Sequence, residues 1–353
     1  MSGPLVADPN PGSFDAGPSG TIYITGSASA LASWQSNAVP GDQSWRGDFS
    51  NGQIFVQKTD GWLQFFVDGG AYSLPSLGTR YMSFDDTATD TFGVVPQAYL
   101  KIQPVSAVSL EIGKLPSQIG NENAFTFQNV NIDRGLLWNQ TPSFTRGMQA
   151  NYTKGPLNVA ISWNDGYYSN RLNWLTGSAS YSLNDGIDTF SLTAGANMGR
   201  TGYSSFVTPL AQNNSAICDL VYTYVFGAWM IDPYLQFSDI SQDTALGFAH
   251  DTSTYSAALL ASYSFTGELF LAGRIEYIGT SGHTVAGTPN LLYGPGSDAW
   301  SITLTPTFQH GIFFARADAS YVGASDTTSG YAFGQHLDRT SQTRFMVESG
   351  VLF

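Results

Sequence analysis

The sequence is poor in several features that mark common protein classes. Its 353 residues include one cysteine and four histidines, and only 12% are charged. A disulfide scaffold needs many cysteines and a coiled coil needs abundant Glu, Lys and Leu, while a disordered chain has few aromatic residues. Here 14% are aromatic, and no apolar run reaches the roughly 18 residues of a membrane-spanning helix. The composition excludes these classes and differs from that of an ordinary soluble domain.

Basic residues are also scarce. The chain has 14 Lys and Arg against 27 Asp and Glu, a net charge of -13, and no Lys or Arg lies between Arg200 and Arg274. Such a chain repels phosphate backbones, so nucleic acid is excluded as a partner. The lone Cys218 lies in an apolar stretch and is interpreted as a small buried or lipid-facing residue.

The histidines give no indication of catalysis. None of the four has a Ser or Asp at a spacing typical of a catalytic triad. They also lie too far apart in the sequence to indicate a shared metal site: His250, His283, His310 and His336. We therefore predict that the protein is not an enzyme and uses no metal and no cofactor.

What the chain does contain is alternation with a period of two residues. Trp300, Ile302 and Leu304 share one face of a segment whose other face carries Ser301 and Thr303. This pattern predicts a strand with one apolar and one polar side. Sixteen such segments occur, at about 20–33, 52–58, 61–74, 94–103, 105–114, 143–154, 156–165, 173–184, 186–198, 215–226, 228–238, 252–265, 267–279, 297–309, 311–323 and 342–353.

The connections between these segments alternate in length. Tight turns with Gly or Pro occur at 60–61, 103–104, 155–156, 184–186, 226–227, 266–267 and 310–311. All the others are long: 34–51, 75–93, 115–142, 166–172, 199–214, 239–251, 280–296 and 324–341. Short periplasmic turns and long extracellular loops are typical of a transmembrane barrel. The predicted fold is therefore an all-β, antiparallel, up-and-down barrel of sixteen strands in the bacterial outer membrane; a soluble propeller or β-helix is the alternative.

Aromatic residues end many of the apolar faces, as the interfacial girdles of such a barrel require. The predicted girdle contains Tyr23, Trp62, Trp163, Trp174, Trp229, Tyr263, Tyr277, Trp300 and Tyr321. The last strand alternates through Phe345, Val347 and Val351 to a terminal Phe353, which resembles the signal that the barrel-assembly machinery reads.

Residues 1–19 precede the first strand. They are rich in Pro, Gly, Ser and Asp, with neither the basic nor the apolar region of a signal peptide. We predict a flexible periplasmic leader over 1–19, a barrel over 20–353, and a sequence that represents the mature form.

A sixteen-stranded barrel is too wide for its own side chains to fill. The alternation points a set of charged residues inward, and three from the third long loop join them. The predicted pore-lining residues are Lys101, Glu111, Glu122, Asp133, Arg134, Asp232, Arg274, Glu276, Arg316, Asp318, Arg344 and Glu348; Asp68 also points inward. Either they create a transverse field that tunes ion selectivity, or they pair and keep the interior wet.

The third long loop, 115–142, is the longest and carries apolar residues such as Leu136 and Trp138. By position and length it is similar to the loop that narrows general porins. We predict that it folds into the lumen, with Glu122, Asp133 and Arg134 facing wall residues such as Lys101 and Arg316. The alternative is an ordered external cap.

Two extracellular loops are acidic. Asp85, Asp86 and Asp90 lie in one, and Asp239, Asp243 and Asp251 flank another. Oxygen ligands of this kind could hold Ca²⁺ and bridge to lipopolysaccharide phosphates. No EF-hand-like spacing is present, so solvated charge is the favoured interpretation.

One region resembles a family. The runs Leu110-Glu111-Ile112-Gly113-Lys114, Gly120-Asn121-Glu122, Asp133-Arg134-Gly135-Leu136-Leu137 and Thr145-Arg146-Gly147 are similar to the core of the OmpL-like β-barrel porins. With a weaker similarity in the final strand, the resemblance covers about two thirds of the chain. It implies an outer-membrane channel without fixing its solute.

We predict passive diffusion of small hydrophilic solutes and ions, in contact with outer-membrane lipid and lipopolysaccharide. The sequence leaves both a monomer and a homo-oligomer open. The alternative function is a barrel that sheathes or docks another protein, such as an electron conduit or a secretion partner.

Overall fold

The computed structural model describes residues 5–283 and 285–353. In this part of the chain, the strands are β1 Gly12–Asp15, β2 Thr21–Gln35, β3 Trp45–Lys58, β4 Leu63–Tyr72, β5 Gln97–Val105, β6 Val108–Pro116, β7 Phe144–Lys154, β8 Leu157–Asn164, β9 Trp174–Leu183, β10 Asp188–Asn197, β11 Ala216–Phe226, β12 Trp229–Ile240, β13 Thr252–Ser264, β14 Leu269–Thr280, β15 Asp298–His310, β16 Phe313–Ser325 and β17 Ser341–Leu352. Short helical turns occur at Gly17–Ser19, Phe84–Asp86, Thr87–Thr91, Thr126–Gln128, Leu137–Gln140, Asn184–Gly186, Gln212–Asn214 and Thr244–Leu246. Among the described residues, no helix has the length and apolar character to cross a membrane.

Strands β2 to β17 form a closed antiparallel barrel. Each strand pairs with the next one along the chain, and β17 pairs back with β2, with Arg344 opposite Gln35 and Leu352 opposite Ser27. Closure gives every strand two neighbours, so the backbone N–H and C=O groups are satisfied even where lipid surrounds the wall. The prediction of a sixteen-stranded barrel is confirmed.

The alternation of short and long connections is present as well. Between strands the short turns are 59–62, 106–107, 155–156, 184–187, 227–228, 265–268 and 311–312. The long connections are 36–44, 73–96, 117–143, 165–173, 198–215, 241–251, 281–297 and 326–340. We call 73–96 L2 and 117–143 L3. By the porin convention, the short turns mark the periplasmic end.

Side chains alternate between the two surfaces of the wall. On β15, Trp300, Leu304 and Phe308 are about half-exposed on the outside, while Ser301 and Thr305 are fully buried in the interior. Cys218 on β11 also lies on the outer surface. The apolar face predicted from the sequence is thus the lipid-facing surface of the wall, and the polar face lines the lumen.

One strand is longer than predicted. β3 begins at Trp45, whereas the period-two pattern begins at residue 52. The cause is a β-bulge: Asn51 is opposite Ser29 and Phe49 is opposite Ala30, which leaves Ser50 as an extra residue. Ser50 and Asn51 both point inward and are buried. A bulge interrupts the alternation, so the pattern does not reveal the part of the strand before it.

Two further expectations differ from the structure. Trp174, predicted for the outer girdle, is fully buried inside the barrel, where its indole N–H donates to the Asn213 carbonyl at 3.0 Å. Within the predicted leader, β1 pairs with Thr21–Ile24 of β2, beyond the point where β17 ends. Closer to the N-terminus, the Gln309 side chain holds Val6 through two hydrogen bonds of 2.8 and 2.7 Å. This segment therefore has fixed contacts at the periplasmic mouth.

Candidate functional site

L3 lies inside the barrel. Its apolar residues Phe125, Ile132, Leu136 and Leu137 are at most 1% exposed. Val130, Leu136 and Leu137 pack with inward-facing residues of β11 to β14, including Val221, Tyr234, Leu260 and Ala272. Burial of this apolar surface stabilises the loop against the wall. L3 thus crosses the lumen and obstructs much of it.

Arg274 on β14 is the first of three arginines that hold L3. Its Nη1 donates to Glu122 Oε1 at 2.6 Å and to the Asp133 carbonyl at 2.8 Å. Its Nε lies 3.1 Å from Glu276 Oε2 on the same strand. The guanidinium is fully buried, so its charge depends on these two carboxylates.

Arg344 on β17 holds the tip of L3 together with L2. Its Nη1 donates to the two oxygens of Asp133 at 2.9 and 3.0 Å and to the Ser76 carbonyl of L2 at 2.9 Å. The Gln35 side chain accepts from its Nε and Nη2. One guanidinium therefore joins β2, L2 and L3.

Arg316 on β16 completes the set. Its Nη1 donates to the carbonyls of Thr126 and Asn129 in L3, at 3.1 and 3.3 Å, and its Nε lies 3.8 Å from Glu348 Oε2. Thr126 Oγ1 in turn donates to Glu348 Oε1 at 2.6 Å. Two backbone carbonyls of L3 thus accept hydrogen bonds from a charged side chain of the barrel wall.

Wall carboxylates accept the backbone N–H groups of the same loop. Asp318 Oδ2 accepts from Ile132 at 3.1 Å, and Glu276 accepts from Leu136 at 3.0 Å and from Leu137 at 3.3 Å. Gly135 lies directly against Glu276, and a Cβ at this position would overlap the carboxylate. Only glycine permits this close approach.

Arg134 belongs to L3 itself. It donates to the carbonyls of Asn123, Ala124 and Pro75, and its guanidinium lies 5.6 Å from the Trp138 ring centroid. Pro75 belongs to L2, so this arginine fixes the two loops to each other. It is fully buried and does not face water.

Burial changes the titration of the two L3 carboxyls. It raises the pKa of Asp133 to about 6, with the Arg344 guanidinium acting in the opposite direction. Burial likewise raises the pKa of Glu122, which Arg274 opposes. At neutral pH the Asp133 carboxyl is ionised and pairs with Arg344.

The remaining predicted residues lie elsewhere. Lys101 does not face Glu122, Asp133 or Arg134 as predicted, because its Nζ lies 3.7 Å from Glu111 Oε1 on the neighbouring strand. Lys101, Glu111, Asp219 and Asp232 line a cavity of about 750 Å³ that also contacts the first turn of L3 at Gln118. We call it the inner vestibule, because it reaches the short turn at 106–107 on the periplasmic side.

A second cavity, the outer vestibule, lies among the long loops. It has a volume of about 430 Å³ and is lined by residues of L2, L3 and later loops, including Arg80, Trp138, Pro142 and Tyr293. Between the vestibules lies a cavity of about 10 Å³, lined by L3 and the inward faces of β7 to β9. Gln118 borders both this cavity and the inner vestibule, and Pro142 borders both it and the outer vestibule.

The sequence analysis did not predict the cavity of about 10 Å³. Its lining residues include Gln118, Ser162, Asn164 and Thr176, all uncharged and polar. In the segment predicted at 173–184, Thr176 lies on the polar face opposite Leu175, but the predicted pore-lining residues are all charged. The signal that could have indicated this cavity is the uncharged inward face of a strand next to the base of the inserted loop.

Two of the acidic loop residues, Asp86 and Asp243, have protein partners. Asp86 and Ser83 form a reciprocal cap on the short helix at Phe84–Asp86, and Asp243 pairs with Arg200. Among the described residues, no group of three or more potential metal ligands occurs. His310 Nδ1 lies 2.7 Å from Glu268 Oε1 at an exposed periplasmic turn.

A closed sixteen-stranded barrel with an apolar outer face, a polar lumen and a loop folded inside defines an outer-membrane porin, a channel for passive diffusion. The chain belongs to the β-barrel porin-2, OmpL-like family, whose model matches residues 21–353. The family match extends the predicted resemblance to almost the whole chain. A search of curated proteins finds no match.

Solved outer-membrane proteins share the fold at low sequence identity. OmpT of Vibrio cholerae is 10% identical, with a TM-score of 0.62 over 96% of this chain and 99% of that one. The outer membrane channel DcaP of Acinetobacter baumannii is 9% identical, with a TM-score of 0.60 over 94% and 97%. A BenF-like porin of Pseudomonas fluorescens is 11% identical, with a TM-score of 0.52 over 94% and 99%. These similarities show a shared fold, and membership of the OmpL-like β-barrel porin family locates the chain in the bacterial outer membrane.

Proposed function

We propose that small hydrophilic solutes and ions cross this porin beside L3, along the inward faces of β7 to β9. The supporting observation is a series of three cavities: the middle one shares Gln118 with the inner vestibule and Pro142 with the outer vestibule. The middle cavity, at about 10 Å³, has room for roughly one water molecule. The predicted charged residues then divide into two groups. Lys101, Glu111 and Asp232 line the solute path, and the others hold L3 in place.

The alternative function, a barrel that sheathes another protein, requires a wide and unobstructed lumen. L2 and L3 fill much of this lumen, and their apolar residues pack on the wall and on each other. The inserted loops favour the porin.

The termini and the outer surface suggest further partners. Phe353 closes the barrel through reciprocal backbone hydrogen bonds with Gly26, at 2.7 and 3.0 Å. We propose that the strand ending there is what the barrel-assembly machinery reads, that residues 1–19 form a periplasmic leader and 20–353 the barrel, and that lipopolysaccharide contacts the outer loops. OmpT of Vibrio cholerae has been solved in a trimer form, and we propose a homo-oligomer here as well.

Planar-bilayer recording tests the diffusion pathway. We expect discrete open-channel steps of small conductance from the purified protein alone, since the narrow cavity sets the resistance. Refolded protein whose barrel is verified by circular dichroism, yet which yields no steps, would overturn the proposal.

The charges of the inner vestibule should set ion preference. Three carboxylates and one ammonium line it, so we expect preference for cations. Glu111→Gln combined with Asp232→Asn should lower the cation-to-anion permeability ratio, and Lys101→Gln should raise it. The reversal potential in a salt gradient near 0.1 M, where the Debye length is about 10 Å, measures this ratio. Asp338→Asn, at an exposed outer loop, is the control. Equal ratios in all variants would contradict a role for the vestibule.

A further inference from the structure

Aromatic rings line part of the lumen, where a porin usually carries polar side chains. Phe55, Phe66 and Tyr99 come one each from the adjacent strands β3, β4 and β5. Their centroids are 6.0 and 5.5 Å apart, and the rings are within 25° of parallel. L3 adds Phe127, whose ring lies 6.0 Å from Phe55, and Phe125, 5.7 Å from Phe127. The Phe127 ring is tilted by 58° from that of Phe55, and together the rings form a continuous aromatic surface.

This aromatic surface borders a cavity of its own. The cavity measures about 360 Å³, within the roughly 300–1,000 Å³ range of small-molecule sites. It lies at the periplasmic mouth, because the final residue Phe353 and Leu5 and Ala7 also line it. The described lining residues are Leu5, Ala7, Thr25, Gly26, Phe55, Phe66, Gln97, Asn123, Phe125, Phe127, Gln128, Leu352 and Phe353, and none of them has a charged side chain.

The polar groups of this cavity are amides. The side chains of Gln97 and Gln128 form no hydrogen bond with another residue in the part of the chain that the structure describes. Each side-chain amide can donate and accept. Amides beside flat rings suit a ligand that has an apolar face and hydroxyl groups at its edge. A charged ligand would lose hydration here without gaining a counter-charge.

We propose that this cavity, which we call the aromatic pocket, binds a neutral mono- or disaccharide. The C–H face of a pyranose ring would lie on Phe55, Phe66 and Phe127, and its hydroxyl groups would bond to Gln97 and Gln128. The pocket shares no lining residue with the three cavities of the proposed solute path, so the bound sugar does not have to cross the narrow cavity beside L3. The proposal therefore goes beyond the diffusion function: the pocket is a sugar-binding site at the periplasmic mouth of the porin.

Two measurements with maltose as the probe separate this proposal from the diffusion function. Titration calorimetry on the detergent-solubilised protein detects binding whether or not the channel opens. In bilayers, saturating maltose should leave the open-channel current in place, because the pocket shares no lining residue with the path beside L3. Open-channel steps without maltose binding would overturn the pocket and leave the porin standing. Maltose binding without any steps would overturn diffusion and leave the pocket standing.

Phe66 has a matched control on its own strand. Phe66 points into the pocket, and the adjacent Phe65 points to the outer surface. Phe66→Ala should weaken maltose binding by about tenfold, the upper end of what a ring stack contributes, whereas Phe65→Ala should leave it unchanged. If Phe66→Ala does not fold, Gln128→Leu, in L3, provides the same comparison. Equal affinities in these variants and the wild type, or binding of benzyl alcohol or glucuronate in preference to maltose, would overturn the sugar site.

Discussion

Replacement of both Arg274 and Arg344 by alanine should release L3 from the wall and raise the single-channel conductance several-fold. Each replacement leaves buried carboxylates without their counter-charge, Glu122 and Glu276 in one case and Asp133 in the other. Breaking a buried pair in this way costs about 3–5 kcal/mol. The barrel keeps its closed ladder of backbone hydrogen bonds. The lost free energy therefore destabilises the packed position of L3 and not the barrel. Conductance, current noise and chymotryptic cleavage in L3 measure the release.

Arg200→Ala combined with Arg339→Ala is the matched control. Both arginines are exposed and pair with Asp243 and Asp338 in outer loops. Exposed pairs contribute about 0–1 kcal/mol, so this variant should retain the wild-type conductance and protease resistance. If the Arg274 and Arg344 variant behaved in the same way, the buried arginines would not be what seats the loop.

The barrel itself could be predicted because its constraints are local. A wall between lipid and water imposes a two-residue period on each strand, and the order of short and long connections follows from the two ends of the barrel. The prediction failed at two positions for different reasons. The bulge at Ser50 interrupts the alternation and hides the first part of β3. Trp174 was assigned to the girdle by residue type, although the alternation with Leu175 places it on the inner face of β9, where loop residues cover it.

The site was harder to predict because it depends on where a loop folds. The pattern placed Arg274, Arg316 and Arg344 on the lumen face, and the structure finds them there, buried. Whether an inward charge meets water or protein is decided by L3, whose path is set by contacts with strands more than a hundred residues away along the chain. The charges therefore suggested a constriction, while the small cavity that we propose as the narrow part of the path is bordered by uncharged residues such as Gln118 and Thr176.

A cysteine in the narrow passage should make the channel sensitive to silver ions. We consider Thr176→Cys together with Cys218→Ser, which removes the native thiol on the outer surface. Thr176 lines the narrow cavity between the vestibules. Ag⁺ is close in size to K⁺ and binds thiolates, so it should reach the new cysteine wherever K⁺ passes. We expect the current, recorded in nitrate salts, to fall almost to zero, because one bound ion fills a space of about 10 Å³.

Leu175→Cys in the same background is the control for this experiment. Leu175 precedes Thr176 on β9 and points outward, with 42% of its surface exposed. A thiol at this position lies outside the solute path, so Ag⁺ should leave the current unchanged. Persistence of the full current in the Thr176→Cys channel would show that ions bypass the passage at β7 to β9. Permeation would then have to follow another side of L3, and the three linked cavities would not be the route.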